Sequence, residues 1–411
     1  MTATALQQEE HLPEAIVCKW CGKSFHYLKS HISMGRCENI PESAKGMDVD
    51  EVVKMYTTAF PDEPTLSRTA LAKLNEKRAE KHSGEGKVAE ISAHPGYAGT
   101  VEYKTELVAA HELLGVTIKE LGTPRGKPLQ VTVNVNTPYP EFVPEAKKNY
   151  VYGDFDLIKD IFMMLEIGIP GYLWGHAGTG KSSLPTQLCA LLNRPLIRAQ
   201  HTASMEEAHV TGQILARDGS TYFEPGLLAL AMKNGWVYLA DEYDFAFPQI
   251  LGVYQPVLEG EPLIIKEATP DWRRITPHKR FAFIGTGNTN GSGDETGLYQ
   301  GTNIQNAANF SRFGIVSNVK YMSTKAEVNM LAEAGVIREY AEKMVKFANL
   351  VREGYEQHLI SQPIGPRELL LSAKIGMMRG DFSAGIEKSF INKLPSTSAQ
   401  AAREVVQKIF G

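Results

Sequence analysis

Residues 175–182 read Gly-His-Ala-Gly-Thr-Gly-Lys-Ser, the pattern G-x-x-x-x-G-K-[ST] of a phosphate-binding loop. Glycines tolerate positive φ, so the backbone N–H groups of such a loop can turn inward and cradle phosphates. Lys181 is predicted to reach the β- and γ-phosphates, and Ser182 to place its hydroxyl on Mg²⁺. The sequence therefore predicts a site for ATP and Mg²⁺ formed by Gly175, His176, Ala177, Gly178, Thr179, Gly180, Lys181, Ser182 and Ser183.

The segments on either side of this loop fit its predicted role. A short apolar strand, residues 171–174, leads into the glycines, and an apolar helix with Leu184, Leu188 and Leu191 follows them. The first turn of that helix directs the positive end of its dipole at a bound anion. A chance match in a glycine-rich turn is the alternative, and it does not account for strand, loop and helix in this order.

Two further apolar strands end in polar residues. Residues 236–240 lead into Asp241 and Glu242, and residues 281–287 lead into Asn288. We predict that Asp241 holds the Mg²⁺ shell, that Glu242 is the general base for the attacking water, and that Asn288 orients this water. Taken alone, Asp241 and Glu242 fit a solvated turn as well as a catalytic site, and an asparagine after a strand usually forms a turn. The phosphate-binding loop upstream favours the catalytic interpretation.

Strand and helix signals alternate up to about residue 320, which is typical of an α/β fold with a parallel sheet. After Met322 the chain becomes helical. Upstream of the sheet, helices are predicted at residues 49–58 and 65–81. We therefore expect a cysteine-rich module at residues 1–45, a linker with short helices at 46–130, a large α/β domain at 131–320, and a helical domain with a C-terminal tail at 321–411.

Three motifs together resemble the MoxR/CobS branch of the AAA+ superfamily, and the resemblance extends over residues 150–380. The first is the phosphate-binding loop. The second is Asp241-Glu242-Tyr243-Asp244, and the third is Gly287-Asn288-Thr289 followed by the unusual run from Gly293 to Thr302. The resemblance implies a P-loop AAA+ core with a parallel sheet and a C-terminal helical lid.

The resemblance also implies roles for two arginines and for Asn288, which is similar to the sensor 1 residue of the family. Arg312 corresponds to the arginine finger that reaches the nucleotide of the neighbouring subunit, although Ser311 stands where the branch usually carries an acid. Arg367 resembles the sensor 2 arginine, at the start of a lid helix with Pro366 in its first turn. For both arginines the alternative is an ordinary surface salt bridge.

Two hairpins are predicted inside the α/β domain, at residues 213–226 and at residues 263–275. In rings of this branch such hairpins face the pore or a partner protein; ordinary surface hairpins are the alternative. By resemblance, the chain forms a homo-oligomer, with a hexamer expected. Its partner is expected to carry a von Willebrand A-type metal-binding domain, as CobT does. A cobaltochelatase motor is the narrower alternative.

Three cysteines and a histidine near the N-terminus, Cys18, Cys21, His31 and Cys37, predict a structural zinc site in a small N-terminal module. A module of this size cannot fold by apolar burial alone, so bound Zn²⁺ would supply its stability. His26 is the rival fourth ligand, and scattered free thiols are the alternative to any metal site.

Residues 17–37 contain four basic residues and no acid, at Lys19, Lys23, Lys29 and Arg36. Such a cluster can contact nucleic acid, form a solvated face or dock a partner protein. The single aromatic pair Trp20 and Tyr27 is a poor platform for stacked bases. A role in protein docking is slightly favoured, and an ATPase recruited to nucleic acid remains the alternative.

The composition excludes some classes of protein. A formal net charge of −4 over 411 residues does not suit a polycation that binds nucleic acid along its whole length. The sequence has no uninterrupted apolar run of about 18 to 20 residues, so no membrane contact is expected. Residues 1–14 lack the features of a secretory signal. We expect a cytoplasmic protein, in a bacterium or in a host cell if a phage encodes it.

Overall fold

The computed structural model describes residues 13–33, 36–45, 47–61, 63–70, 102–217 and 220–411. The chain divides into two compact units, Met1–Glu90 and Ile91–Gly411. The helix predicted at residues 65–81 lies outside the described residues beyond residue 70. The domain boundaries predicted at residues 45, 130 and 320 stay predictions, and the division between the units lies elsewhere. Within the described ranges, no helix has the length and apolar character needed to cross a membrane.

The first unit is small and has a mixed fold. Its elements are strands β1 (Ile16–Val17) and β2 (Ser24–Phe25), which pair antiparallel, and helices α1 (Leu28–Ser33) and α2 (Val49–Ala59). The carboxylate of Asp48 caps the start of α2 by accepting the backbone N–H of Asp50 at 3.0 Å. Leu28 from α1 and Tyr56 from α2 are both fully buried and belong to one apolar cluster.

The strands and helices described for the second unit begin at Thr105. Its strands are β3 (Thr105–Ala109), β4 (Gln130–Asn134), β5 (Gly171–Trp174), β6 (Leu196–Gln200), β7 (Gly212–Arg217), β8 (Ser220–Pro225), β9 (Val237–Asp241), β10 (Leu263–Ile264), β11 (Arg274–Ile275), β12 (Ala282–Gly287) and β13 (Ile315–Asn318). Its helices are α3 (Ala110–Leu114), α4 (Ile118–Leu121), α5 (Phe155–Ile167), α6 (Ser183–Leu191), α7 (Glu207–Thr211), α8 (Leu227–Asn234), α9 (Pro248–Leu251), α10 (Gln255–Leu258), α11 (Pro270–Arg273), α12 (Ala307–Phe310), α13 (Thr324–Glu333), α14 (Arg338–Glu356), α15 (Pro366–Arg379), α16 (Phe382–Ser389) and α17 (Ser396–Phe410).

A five-stranded parallel sheet in the order β13-β5-β12-β9-β6 forms the centre of the second unit. The side chains of successive residues in these strands pack on opposite faces of the sheet, because side chains alternate along a strand. Each face is covered by its own apolar cluster. Tyr172 and Tyr238 lie in one apolar cluster, and Leu173 and Leu239 lie in the other. Both faces are therefore covered, as parallel sheets require. The predicted α/β fold with a parallel sheet is confirmed.

Helix α5 shows how the sequence sets the bounds of an element next to this sheet. Asp154 caps its start by accepting the backbone N–H of Leu157 at 3.0 Å, and Gly168 ends it in a left-handed conformation with φ 73°. The face that carries Ile158 and Ile161 is fully buried. Helix α5 is thus bounded at both ends by its own residues and spans Phe155–Ile167.

The two predicted hairpins are present. Strands β7 and β8 pair antiparallel between α7 and α8, and their turn residues 218–219 lie outside the described part of the chain. Strands β10 and β11 pair over Leu263–Ile264 and Arg274–Ile275, with α11 between them. The functions expected of the hairpins remain predictions.

Helices α13 to α17 pack around an apolar core of their own, which includes Met344, Phe347 and Phe390. The last two of these helices, α16 and α17, extend this core through residue 410, whereas the sequence predicts a C-terminal tail after the helical domain. At the other end of the unit, β3 pairs with β4, and Ala110 and Leu121 join the core beside α5 although the sequence suggests a linker there.

Candidate nucleotide site

The phosphate-binding loop joins the end of β5 to the start of α6, and its glycines are required by its shape. Gly175, Gly178 and Gly180 have φ values of 146°, 79° and 104°. A Cβ atom on Gly175 would lie 2.4 Å from the backbone oxygen of Val319. A larger residue is therefore excluded there by strain and by collision.

Lys181 connects this loop with the end of β12. Its Nζ donates hydrogen bonds to the backbone oxygens of Gly175 (2.7 Å) and His176 (2.9 Å) and to Oδ1 of Asn288 (3.1 Å). The side chain is buried, and this burial lowers the pKa of Lys181 to about 8. Two residues that lie 107 positions apart in the sequence are thus brought into one site.

Asp241, the last residue of β9, collects hydroxyl and guanidinium donors. It accepts hydrogen bonds from Oγ of Ser182, from Oγ1 of Thr286 and from Nε of Arg198, the last at 2.6 Å. Burial raises the pKa of this carboxyl, but the donors outweigh burial and the net pKa is lowered. Because Mg²⁺ prefers hard oxygen ligands, the adjacent oxygens of Ser182 and Asp241 fit that ion.

Glu242 follows Asp241 and is exposed. It adopts a left-handed backbone conformation with φ 53°, which is uncommon for a residue other than glycine. Its N–H donates to Oγ1 of Thr286 at 3.2 Å, and its Oε2 accepts from Nε2 of Gln200 at 2.6 Å. The carboxylate is therefore held at the same sheet edge as Asp241, by the last residue of the neighbouring strand β6.

A cavity of about 730 Å³ opens between the phosphate-binding loop and the C-terminal helices. This volume is typical of a pocket that takes a ligand of nucleotide size. Gly178 to Ser183 line one wall, and Arg367 and Lys374 from α15 line the opposite wall. Arg367 lies so close to Gly178 that a Cβ on the glycine would approach the Cβ of Arg367 to 3.4 Å and its backbone nitrogen to 3.6 Å. Arg367 and Lys181 thus place two positive charges at one cavity.

Arg312 lies apart from this group within one chain. Its Nε donates to Oε1 of Glu259 at 2.8 Å, and its guanidinium also contacts the backbone oxygen of Ala308. Arg312 is absent from the described residues that line the cavity. Within a single chain the arrangement is that of a salt bridge, and the expected role between subunits stays a prediction.

A family model described as AAA domain (dynein-related subfamily) matches residues 172–302. The chain is 32% identical over 249 residues to the aerobic cobaltochelatase subunit CobS of a Sinorhizobium species, covering 58% of this chain and 74% of CobS. The chain belongs to the MoxR/CobS branch of the AAA+ ATPases. An uncharacterized protein of Staphylococcus aureus is 23% identical over 62% of this chain and 96% of its own length.

Among solved structures, the chain resembles the Thermotoga maritima RuvB Holliday junction branch migration motor. The identity is 13% and the TM-score is 0.38, over 65% of this chain and 72% of that one. A similarity at this level transfers no property of the motor.

Two further residues, Asp244 and Tyr299, lie directly at the site. Both stand in motifs of the family, but the sequence alone predicts no role for either. Asp244 is completely buried, and its Oδ2 accepts the backbone N–H groups of Asn288 (2.8 Å) and Thr289 (2.9 Å). Tyr299 reaches the phosphate-binding loop through its hydroxyl, 3.1 Å from the backbone nitrogen of Ala177. The only signal for either residue in the sequence was its place in a motif of the family.

The first unit brings together the four predicted metal ligands. One ligand atom from each of Cys18, Cys21, His31 and Cys37 lies within 4.8 Å of the others. The Cys18 and Cys37 sulfurs are 3.8 Å apart, which matches about 3.8 Å for two thiolates at tetrahedral angles around an ion at about 2.3 Å. The donor set and its spacing therefore fit Zn²⁺.

His26, the rival ligand, has another partner. Its Nδ1 lies 3.0 Å from Oγ of Ser67, and it is not among the grouped donors. His31 instead has its Nε2 3.2 Å from the sulfur of Cys21 and its ring stacked on Phe25.

Three of the four basic residues at positions 17–37 form ion pairs with carboxylates. Lys19 pairs with Glu63, Lys23 with Glu38, and Lys29 with Asp50. These pairs are exposed and contribute little to stability, but they offset much of the positive charge. The basic stretch seen in the sequence is therefore a weaker electrostatic feature in the folded unit.

Proposed function

We propose that this AAA+ chain hydrolyses ATP and uses the energy to remodel a partner protein. The observation that supports hydrolysis is the meeting of Lys181, Ser182, Asp241 and Asn288 at the carboxyl edge of the sheet. These residues come from three segments of the sequence. A nucleotide-binding scaffold without turnover would not need the acids and the asparagine in addition to the loop.

Each residue has a proposed task at the phosphates. Backbone N–H groups of the loop from Gly178 to Ser183 bind the phosphate oxygens, and Lys181 neutralises their charge. Bound Mg²⁺ would offset further phosphate charge, held by Ser182 and Asp241.

The remaining proposed tasks concern the attacking water and the charge that develops in the reaction. Glu242 takes the proton of the attacking water, and Asn288 orients this water. Arg367 binds the phosphates from the lid side of the cavity. Arg312 acts on the nucleotide of the neighbouring subunit after leaving Glu259.

We further propose a ring, expected to be a hexamer, whose partner carries a von Willebrand A-type domain like that of CobT. Family membership supports both statements. The name of the similar CobS subunit also favours a narrower candidate, a motor subunit of a cobaltochelatase. An ATPase recruited to nucleic acid is the less favoured candidate, because three of the four basic residues at positions 17–37 pair with carboxylates.

The test is ATP turnover by the full chain across fractions separated by size, with and without Mg²⁺, and with and without DNA. Turnover confined to a ring-sized species and indifferent to DNA is expected. Strong stimulation by DNA would favour the nucleic-acid motor. A chain that turns over no ATP in any fraction would contradict the proposal.

Two substitutions and one control sharpen this experiment. Lys181→Ala should abolish nucleotide binding, whereas Glu242→Gln should bind ATP with turnover reduced at least about 100-fold. Glu387→Gln is the matched control, because Glu387 pairs with Arg403 on the surface of the helical domain and leaves the site intact. Near-normal turnover in Glu242→Gln would exclude Glu242 as the general base.

Subunit mixing tests Arg312. Rings of Arg312→Ala subunits and rings of Lys181→Ala subunits should each be inactive. Mixed rings should recover part of the activity, because an intact arginine then faces an intact nucleotide site. No recovery in mixed rings would argue against action between subunits.

A further inference from the structure

The run from Gly293 to Thr302, one of the motifs by which the sequence resembles the CobS branch, folds into a loop organised by one carboxylate. Oδ1 of Asp294 accepts from the backbone N–H and the hydroxyl of Thr296, at 2.9 and 2.8 Å. Its Oδ2 accepts the backbone N–H of Tyr299 at 2.7 Å. Asp294 therefore fixes the position from which Tyr299 leaves the loop. None of the proposed catalytic roles uses this loop.

The Tyr299 hydroxyl lies between two residues of the phosphate-binding loop. It is 3.1 Å from the backbone nitrogen of Ala177 and 2.9 Å from Nδ1 of His176. A backbone N–H can only donate, so the tyrosine oxygen accepts from Ala177 and its own hydrogen is left for His176. The result is a directed chain from the Ala177 N–H through the hydroxyl to the imidazole.

Aromatic rings hold His176 in place as the acceptor of this chain. The ring of Tyr321 stacks on it at 5.8 Å between centroids and 2° between planes, and Tyr355 meets it edge-on at 5.7 Å. Burial and then the charge of Lys181 lower the pKa of His176, which keeps the imidazole neutral. A neutral imidazole protonated on Nε2 presents Nδ1 as the acceptor that Tyr299 needs.

We propose that Tyr299 is a positioning residue of the nucleotide site, which holds the His176–Ala177 part of the phosphate-binding loop in the conformation that accepts phosphates. The inference rests on the proposed ATP binding and assigns a task to the motif that distinguishes this branch. The hydroxyl fixes the turn that leads into Gly178 before the ligand arrives, so less ordering remains to be done on binding.

This role predicts an effect on binding rather than on the chemical step. Tyr299 contacts the loop at Ala177, whereas the proposed general base Glu242 is held by Gln200 and Thr286. Loss of the hydroxyl should therefore raise the Kd and KM for Mg-ATP and leave kcat within about twofold. A merely structural role would lower the melting temperature without this separation.

Tyr299→Phe in the full chain is the first test, because it removes the hydroxyl and keeps the ring. Titration with Mg-ATP should give a Kd about 3- to 10-fold weaker than wild type, the range that one hydrogen bond contributes. Tyr139→Phe is the matched control: its hydroxyl donates to Oδ1 of Asn234 at 2.9 Å, away from the loop. The control should bind Mg-ATP as wild type does.

A second variant approaches the same hydroxyl from the surface. Asp294→Ala removes the acceptor that places Tyr299, and Asp294 lies in a loop between β12 and α12 rather than in a helix or strand, which keeps the risk of misfolding low. It should weaken Mg-ATP binding in the same direction. The double variant should be no weaker than Tyr299→Phe alone, because both changes act through one hydrogen bond.

The outcomes separate this inference from the proposed function. Wild-type chain that fails to bind Mg-ATP would overturn both. Wild-type chain that binds, with an unchanged Kd in Tyr299→Phe and in Asp294→Ala, would overturn the role of Tyr299 alone. Additive losses in the double variant would also overturn it, since independent effects do not share one contact.

Discussion

The cluster of candidate zinc ligands and the candidate nucleotide site stand in different relations to the cores of their units. In the first unit, Cys18 and Cys37 are 1% and 6% exposed and belong to the same apolar cluster as Leu28 and Tyr56. In the second unit, most site residues lie at the ends of strands whose apolar middles form two large cores. The candidate zinc ligands are thus part of the core in the first unit, whereas the site residues lie beside the cores in the second. Substitutions should therefore affect stability and ligand binding differently in the two units.

The largest expected effect is the loss of the first unit when one metal ligand is removed. Structural Zn²⁺ contributes about 10–16 kcal/mol in small zinc-binding peptides, far more than a core of this size supplies. In the full chain, Cys18→Ser should lose its zinc, and the backbone amides of α1 and α2 should lose protection from hydrogen exchange. The amides of β5, β9 and β12 should keep theirs.

The fourth cysteine of the chain provides the control. Cys189 is buried in a core of the second unit and is not among the grouped donors. Cys189→Ala should retain the metal, measured by mass spectrometry of the protein-bound elements, and full protection in α1. Protein without bound zinc whose α1 amides remain protected would show that the ligands are ordinary core residues and not a metal site.

Asp244 breaks the simple comparison, because it belongs both to the nucleotide site and to the interior. Its Oδ2 accepts from Asn288 N, Thr289 N and Thr289 Oγ1 at 2.8, 2.9 and 3.0 Å. Asp244→Ala leaves these donors without an acceptor, at an expected cost of about 2–4 kcal/mol in the free energy of unfolding. Asn288 also loses its support, so ATP turnover should fall at least about tenfold.

Urea unfolding and turnover, measured on the same preparation, check both parts of this prediction. Asp381→Ala is the control, since Asp381 also accepts two backbone N–H groups but at the exposed start of α16. Its loss should cost about 1 kcal/mol and leave turnover unchanged. If the two variants behave alike, Asp244 has no special part in holding Asn288.

The sequence predicted those features of the site that depend on local patterns. Glycine at 175 and 180, an apolar strand before the loop and acids after β9 are each visible within a short window. The contacts of Tyr299 with Ala177 and of Asp244 with Asn288 are not, because they join residues 122 and 44 positions apart and follow no periodicity. Strand β3 was missed because residues 105–109, Thr-Glu-Leu-Val-Ala, show no regular alternation of apolar and polar residues and read as irregular chain.

A smaller effect is expected from the ionisation of Lys181, and it depends on pH. Burial lowers the pKa of this lysine to about 8 from 10.5 in an unperturbed lysine. Above pH 8 the free protein therefore loses the charge that the phosphates require, and binding must take up a proton. The Kd for Mg-ATP should rise by up to about tenfold per pH unit above 8 and stay nearly constant between pH 7 and 8.

The same shift has a consequence for stability in the absence of nucleotide. Between pH 8 and 10.5 the unfolded chain binds more protons at Lys181 than the folded chain, so the contribution of Lys181 to stability rises with pH.

Calorimetric titration with Mg-ATP in two buffers of different ionisation heat tests whether binding takes up a proton. The heats of binding should differ between the buffers at pH 9 and agree at pH 7. Equal heats at pH 9 would mean that Lys181 remains charged in the free protein.

The smallest effect should come from His26, the histidine closest in sequence to the cysteine pair. In the folded unit it pairs with Ser67 at 3.0 Å, whereas His31 lies 3.2 Å from the Cys21 sulfur. His26→Ala should therefore keep its zinc and cost about 1 kcal/mol, the contribution of one hydrogen bond. His31→Ala should weaken zinc binding severely, because a tetrahedral site loses one of its four ligands. Competition with a chromophoric chelator compares the two variants directly. If His26→Ala releases zinc as readily as His31→Ala, ligation involves the other histidine, and the cluster must rearrange when the metal binds.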